Sequence, residues 1–441
     1  MLNYNVILMT ERLLQYIWQF QYFNYGDLHT EEGELLQIIH PGTHNTNQGP
    51  DFSDAKIKIN TTIWAGSIEL HTNASDWKNH KHSGDKNYKN VILHVVWQQD
   101  VQLNLPCSTL VLQDKVPKIL LTRYDELMQA DYFIACEKHI QQINTLTWQS
   151  FKERLLIERL EKRTHGIFDH LQKNKNHWEE TFWWLLAKNF GVKLNSHAFE
   201  MIAQSVSVNI LAKHKGQIHQ VEALLFGQAG LLNGVFAEDY PKLLQKEYLF
   251  LKKKYDLQKV EASMIFLRMR PSNFPTIRLA QLAMLVHKSL HLFSKIKESS
   301  DIKSIKQLLQ VTANDYWHYH YVFDETSAFK KKTLGEQMID NILINTVIPV
   351  LFAYGHYHGE NIYKDKALQW LEEIRAEKNS ITKGFTALQI ENKTAFDSQA
   401  LIQLKNEYCN KKRCLDCSVG NKLVRKQGPS ISAEGVGNGG D

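Results

Sequence analysis

The sequence predicts an α+β fold: an N-terminal mixed α/β sheet domain followed by a large all-α helical domain. Two observations carry this prediction. Over residues 1–135 the apolar residues fall into short β-rich runs bounded by Gly, Pro, Asn or Asp, the pattern of strands. From about residue 146 to 405 the apolar period changes to 3.6, the pattern of amphipathic helices joined by short polar loops. The chain is therefore expected to divide into a sheet domain (1–135), a helical domain (136–405), a cysteine-bearing segment (406–425) and a disordered glycine-rich tail (426–441).

In chain order, Thr10 is a plausible N-cap for a helix that places Leu14, Ile17 and Trp18 on one side. Strands follow at 35–39, 55–59, 63–71, 91–97 and 109–112, giving an open sheet of about five strands. Residues 73–85 leave room for a short helix and a turn. Helical stripes then appear at Phe151, Leu155, Leu160, Ile167, Phe168 and Leu171; at Phe199, Ile202, Val206 and Ile210; and at Leu243, Leu244, Tyr248, Leu251 and Tyr255. Further helical patterns cover 277–293, 335–354 and 365–377. Pro271 and Pro275 mark an elbow over residues 270–278 that opens a helix.

Composition bounds the function loosely. A chain of 441 residues with 43% hydrophobic and 22% charged residues is an ordinary globular protein. A formal charge of +5 permits an acidic partner such as DNA or RNA without requiring one. Glu11 and Arg12 interrupt any signal-like run, and the apolar stretch 342–354 contains Asn345 and Pro349, as a buried helix can. Five cysteines are too few for a disulfide framework. The expectation is a cytoplasmic protein with no membrane partner.

Chemistry concentrates between residues 50 and 95. Pro50 suits the start of a strand, and Asp51 follows it directly. On the strand after it, Ser67, Glu69 and His71 share one face because strand side chains alternate. If Asp51 lies beside Glu69, two carboxylates and an imidazole converge, which suits a hard divalent cation, magnesium or manganese. His80, His82 and His94, with Asp76 and Asp85 nearby, would together with His71 suffice for a zinc site. His94 alone, inside an apolar strand, reads as a hydrogen-bonded core residue.

A second metal signal lies near the C-terminus, where Cys409, Cys414 and Cys417 have C-x4-C-x2-C spacing. Lys411, Lys412 and Arg413 are expected to lower the thiol pKa values. A fourth ligand must come from upstream: Cys136, Cys107 or a histidine. Zinc or an iron–sulfur cluster would fit, as would free structural thiols. The basic triplets at 252–254, 330–332 and 411–413 read first as solvated faces and second as a phosphate track.

Pro50-Asp51 followed by Glu69-x-His71 resembles the PD-(D/E)XK nuclease superfamily over roughly residues 10–115. The resemblance implies a nuclease-like sheet in which Asp51 and Glu69 hold the metal, while His71 stands where lysine is usual. Imidazole there offers a base or ligand in place of a fixed charge. Glu11 or Glu34 would supply an extra carboxylate. The cysteine layout is similar to that of superfamily members clamped by an iron–sulfur cluster, except that Cys136 follows the nuclease motifs. Nearly end to end, the chain resembles an uncharacterised bacterial family, domain of unknown function 2851. That resemblance rests on Gly49-Pro50-Asp51-Phe52, Gly66-Ser67-Ile68-Glu69-Leu70-His71, Asn90-Val91-Ile92-Leu93-His94, Arg270-Pro271-Ser272-Asn273-Phe274-Pro275 and Lys412-Arg413-Cys414-Leu415-Asp416-Cys417. It implies no activity.

Three functions follow as expectations. The first is a metal-dependent nuclease with Asp51, Glu69 and His71 as catalytic residues. The second is a non-catalytic nucleic-acid-binding or scaffold protein. The third is a zinc-dependent hydrolase built on His71, His80, His82 and His94.

Overall fold

Thr10 caps the first helix as its sequence position predicts: its hydroxyl oxygen accepts the Leu13 N–H at 3.2 Å. The computed structural model describes residues 9–80, 85–261, 263–289 and 291–425. His82 and the tail from 426 lie outside the described residues. The chain forms two compact units, one of residues 1–151 with 404–441 and the other of residues 152–403.

In the first unit, helix α1 (Glu11–Gln19) buries Leu13, Leu14, Ile17 and Trp18, and the Trp18 indole N–H donates to the Pro41 carbonyl at 2.9 Å. The sheet contains seven described strands: β1 (Leu28–His29), β2 (Leu35–His40), β3 (Thr43–His44), β4 (Phe52–Ile59), β5 (Thr62–Asn73), β6 (Val91–Gln98) and β7 (Ser108–Val111). Their order is β1-β2-β4-β5-β6-β7, with β3 paired to β4. The strands up to β5 pair antiparallel, whereas β6 lies parallel to both β5 and β7. Five long strands were legible in the sequence. The two extra ones are two residues each, too short to show alternation.

The parallel β5–β6 pair needs a crossover, which the short helix α2 (Asp76–Asn79) and a 3-10 turn (Lys86–Tyr88) occupy. Parallel strands are covered on both faces, and every residue from Val91 to Val96 is buried. Helix α3 (Lys118–Gln129) and the C-terminal helix Ser418–Arg425 belong to this unit.

The second unit is helical, with a core that includes Phe182, Phe190, Phe199, Leu224, Phe226 and Leu282. Helix α4 (Thr145–Lys173) carries the first predicted stripe, with Leu155, Leu160, Ile167 and Leu171 buried. The stripe over 199–210 belongs to two helices, Val192–Ser205 and Val208–His214. Val206 is extended and Ser207 caps the second helix, yet Val206 is fully buried, so the apolar pattern runs on across the break. The 277–293 pattern likewise divides, into Pro275–Lys288 and Leu292–Glu298, with His291 left-handed between them at φ 55°.

Glu336–Ile342 continues through a π-helical turn, Leu343–Val347, into Ile348–His358. Pro349 lacks an N–H and cannot complete a regular i→i−4 ladder, and the wider turn takes up that defect. This stretch is long and apolar enough to cross a membrane, but 78% of its apolar window is buried, which makes it a core helix.

Candidate active site

Register between β4 and β5 decides where Asp51 goes. Phe52 pairs with Ile68, so Asp51, one residue before the strand, arrives next to Glu69 and Leu70. The Asp51 N–H donates to Glu69 Oε2 at 3.1 Å. Asp51 Oδ2 accepts the Leu70 N–H at 3.0 Å, and Asp51 Oδ1 accepts Gln15 Nε2 from α1 at 2.7 Å. Two carboxylates are thus held side by side at the junction of α1, β4 and β5.

Their electrostatics are strained. Burial raises the Asp51 pKa to about 6, with Glu11 adding to the rise against the hydrogen bonds from Leu70 and Gln15. Glu69 is only 4% exposed, and burial together with the Asp51 charge pushes its pKa to about 8. Of the two extra carboxylates considered, Glu11 is the one whose charge reaches this pair. Glu34 instead accepts from Asn60 Nδ2 at 3.1 Å. Tyr88 feels the same charges: burial and then Glu69, Asp51, Asp85 and Glu11 raise its pKa to about 12.

Behind the carboxylates runs a chain of imidazoles. His71, 1% exposed, has Nδ1 at 2.9 Å from His94 Nε2 and Nε2 at 3.2 Å from His80 Nδ1. His71 Nε2 also lies 3.5 Å from Glu69 Oε1. His94 sits opposite Glu69 in the β5–β6 ladder and is fully buried against Trp77, with ring centroids 4.9 Å apart. His80 is exposed, so the chain reaches solvent at that end. Two other predicted neighbours have local structural roles. Asp76 accepts from Asn73 N, Thr72 Oγ1 and Asn79 Nδ2, which outweigh burial and lower its pKa. Asp85 caps the 3-10 turn through the Asn87 N–H at 2.9 Å.

Sequence reasoning missed Gln15 and Tyr88. Gln15 had a readable signal, since it lies four residues after Glu11 and hence on the same helix face. Tyr88 had none.

Cys136, Cys409, Cys414 and Cys417 come together within the first unit. Cys136, Cys414 and Cys417 are buried and Cys409 half-buried, and none is in a disulfide. Burial, then the charges of neighbouring thiols among the four, raises Cys136 and Cys414 to about 12 and Cys409 still higher. Lys412 of the basic triplet does lower the Cys414 thiol, but burial outweighs it, and the net shift of the three thiols is upward against expectation. Lys411 pairs with Glu407 at 2.6 Å, Lys412 donates to the Met128 carbonyl at 2.5 Å, and Arg413 pairs with Asp416 at 2.8 Å. Lys405 donates to the Phe133 carbonyl, tying the cysteine-bearing segment to the turn before Cys136. Cys107 feels Glu32 and none of the four. Among the described residues, no set of three or more His, Cys, Asp and Glu side chains already stands in metal-holding geometry.

A family model described as protein of unknown function (DUF2851) matches residues 11–380. No curated protein and no solved structure matches the chain.

Proposed function

The chain belongs to the DUF2851 family, and from its own residues we propose that it is a metal-dependent hydrolase of nucleic-acid phosphodiesters. The observation that carries this reading is the close approach of Asp51, just before β4, to Glu69 on β5, with the charge of Glu11 adding to the rise in pKa of both. Two carboxylates held together at low exposure repel each other, and either protons or a divalent cation relieves that repulsion. Oxygen donors of this kind fit magnesium or manganese. The likeness of Pro50-Asp51 and Glu69-x-His71 to the PD-(D/E)XK superfamily supports DNA or RNA as substrate.

Asp51 and Glu69 would hold the cation, which when bound supplies Lewis-acid charge and a water of lowered pKa. Leu70 N–H and Gln15 fix the Asp51 carboxylate in one orientation. His71 has both ring nitrogens engaged, so it acts as a positioning residue for Glu69 and as a proton link to the exposed His80. The same reading takes the four thiols of Cys136, Cys409, Cys414 and Cys417 as a structural zinc or iron–sulfur site, reached when their side chains close on the ion.

A second reading, the zinc-dependent hydrolase, draws on one specific observation. His71 Nε2 lies 3.2 Å from His80 Nδ1 and 3.5 Å from Glu69 Oε1. Donors on a tetrahedral zinc with bonds of about 2.0–2.1 Å stand roughly 3.3 Å apart. Cleavage assays on single- and double-stranded DNA and RNA with magnesium, manganese or zinc separate the two. The nuclease reading expects cleavage with magnesium or manganese that Glu69→Ala abolishes. Glu69→Ala cleaving as well as the parent overturns it. Cleavage supported by zinc alone, and lost in His80→Ala, moves the assignment to the second reading. No cleavage with any metal leaves a non-catalytic binding or scaffold protein.

A further inference from the structure

The hairpin of β4 and β5 carries the carboxylate pair at one end and two lysines at the other. Antiparallel register sets Lys56 opposite Ala65 and Lys58 opposite Ile63. Opposed residues of such a pair project to one face, and β5 runs as a single strand from Thr62 to Asn73. Lys56 and Lys58 therefore share the face of Ile63, Ala65, Ser67 and Glu69. A bulge in β4 brings this about: three steps from Phe52 to Ala55 match two from Ile68 to Gly66, with Asp54 left-handed at φ 57°. Without the extra residue Lys56 and Lys58 would turn to the opposite face, where Ala55, Ile57 and Ile59 are buried.

Burial follows the register. Lys56, Ile63 and Ala65 are exposed and Lys58 is half-buried. Strand β2 widens the open face, with exposed Gln37 opposite Lys58 and exposed His40 opposite Lys56. Along β5 the face closes by degrees, through half-buried Ser67 to buried Glu69. At about 3.3–3.4 Å per residue, Lys56 and Lys58 stand roughly 7 Å apart and Ala65 lies roughly 13 Å along the strand from Glu69. Among the described residues neither lysine has a hydrogen bond or an ion pair. The nearby carboxylates are engaged elsewhere: Glu34 accepts from Asn60 in the hairpin turn, and Asp54 accepts from Ser53.

We infer that this open face binds the sugar–phosphate backbone of a nucleic-acid strand and leads it to the carboxylate pair. Two ammonium groups free of internal partners, spaced along one strand, match a row of phosphates. Ile63, 56% exposed, and the small Ala65 offer apolar contact to the sugars and bases beside them. The face is open at the lysines and closed at Glu69, so a bound strand lies in solvent at one end and meets the carboxylates at the other. The inference rests on the hydrolytic reading for that end point alone, since binding through the lysines needs no cleavage. Lys56 and Lys58 position the strand and stand clear of the reacting atoms.

Fluorescence anisotropy of a labelled single-stranded DNA, titrated with the full chain in chelator at a series of chloride concentrations, tests the face. The wild type is expected to bind with log K falling linearly in log salt. Lys56→Ala and Lys58→Ala should each reduce the size of that slope by about 0.7 and weaken all sequences alike. Lys56→Arg and Lys58→Arg should keep the slope, as should Lys253→Ala, at an exposed lysine of the other unit. A cleavage assay with magnesium or manganese separates this inference from the hydrolytic reading. Lysine-dependent binding without cleavage upholds the face and overturns the hydrolytic reading. Cleavage by the wild type, with slopes unchanged in both alanine variants, overturns the face and leaves the hydrolytic reading standing. Absence of binding by the wild type also overturns the face.

Discussion

Asp51 and Glu69 are tied to each other through the backbone: the Asp51 N–H donates to the Glu69 carboxylate, and the N–H of the residue after Glu69 donates to the Asp51 carboxylate. The reciprocal pair fixes both carboxylates before any ligand arrives. Such preorganisation serves a charged site and costs stability when no counter-charge is present.

That cost depends on pH. Asp51 rises from an ordinary 3.8 to about 6 and Glu69 from 4.5 to about 8. A carboxyl whose folded pKa is raised contributes stability that is fully present below its unfolded value and lost as pH climbs through the folded one. Metal-free protein should therefore lose stability from about pH 4 to pH 8 through this pair. Glu69→Gln should flatten that decline. Denaturant unfolding of both proteins across the window measures the difference, and parallel pH profiles would count against the coupled pair.

Gly66 begins the Gly66-Ser67-Ile68-Glu69 run because nothing larger fits there. A Cβ at this position would stand 2.5 Å from the Asn90 carbonyl oxygen and 2.6 Å from Ile92 Cγ2 on the neighbouring strand. Gly66→Ala should cost about 2–3 kcal/mol. It should also disturb the β5–β6 ladder beside Glu69, lowering any metal affinity. Urea unfolding and metal titration report the two effects separately.

The imidazole chain predicts unequal effects at its two ends. His94→Ala removes a fully buried ring that contacts His71 and Trp77 and should destabilise by about 2–4 kcal/mol. His80→Ala touches an exposed ring and should change stability by no more than about 0.5 kcal/mol. Chemical denaturation of each variant tests the contrast, and equal losses would contradict the chain's burial gradient.

The cysteine site makes a prediction about metal content. Protein purified without chelator should contain zinc or iron at about one centre per chain, lost in Cys136→Ala and in Cys417→Ala alike. Elemental analysis with the visible absorption spectrum distinguishes zinc from an iron–sulfur cluster. Metal-free wild type of full stability would assign the four as plain buried thiols.

Much of this fold was legible because local patterns and tertiary burial agree. The Thr10 cap and the long helical stripes each come from one local segment, whereas Ile68, Glu69, Leu70 and His71 are all buried, so alternation alone did not show that Glu69 and His71 are enclosed. What escaped notice was set by distant partners. Nothing around Tyr88 or Lys332 marks them, since a lone tyrosine and a lysine triplet look solvated until the fold closes over them. Helix breaks at Val206 and His291 were hidden because the buried stripe continues across both.

On the proposed function, Asp51 and Glu69 together take up one divalent cation. Calorimetric titration of manganese into the wild type, Asp51→Asn and Glu69→Gln at pH near 8 tests this most directly. Saturable binding by the wild type, lost in both variants, is the expected result. Absence of binding by the wild type, or undiminished binding by either variant, would contradict it.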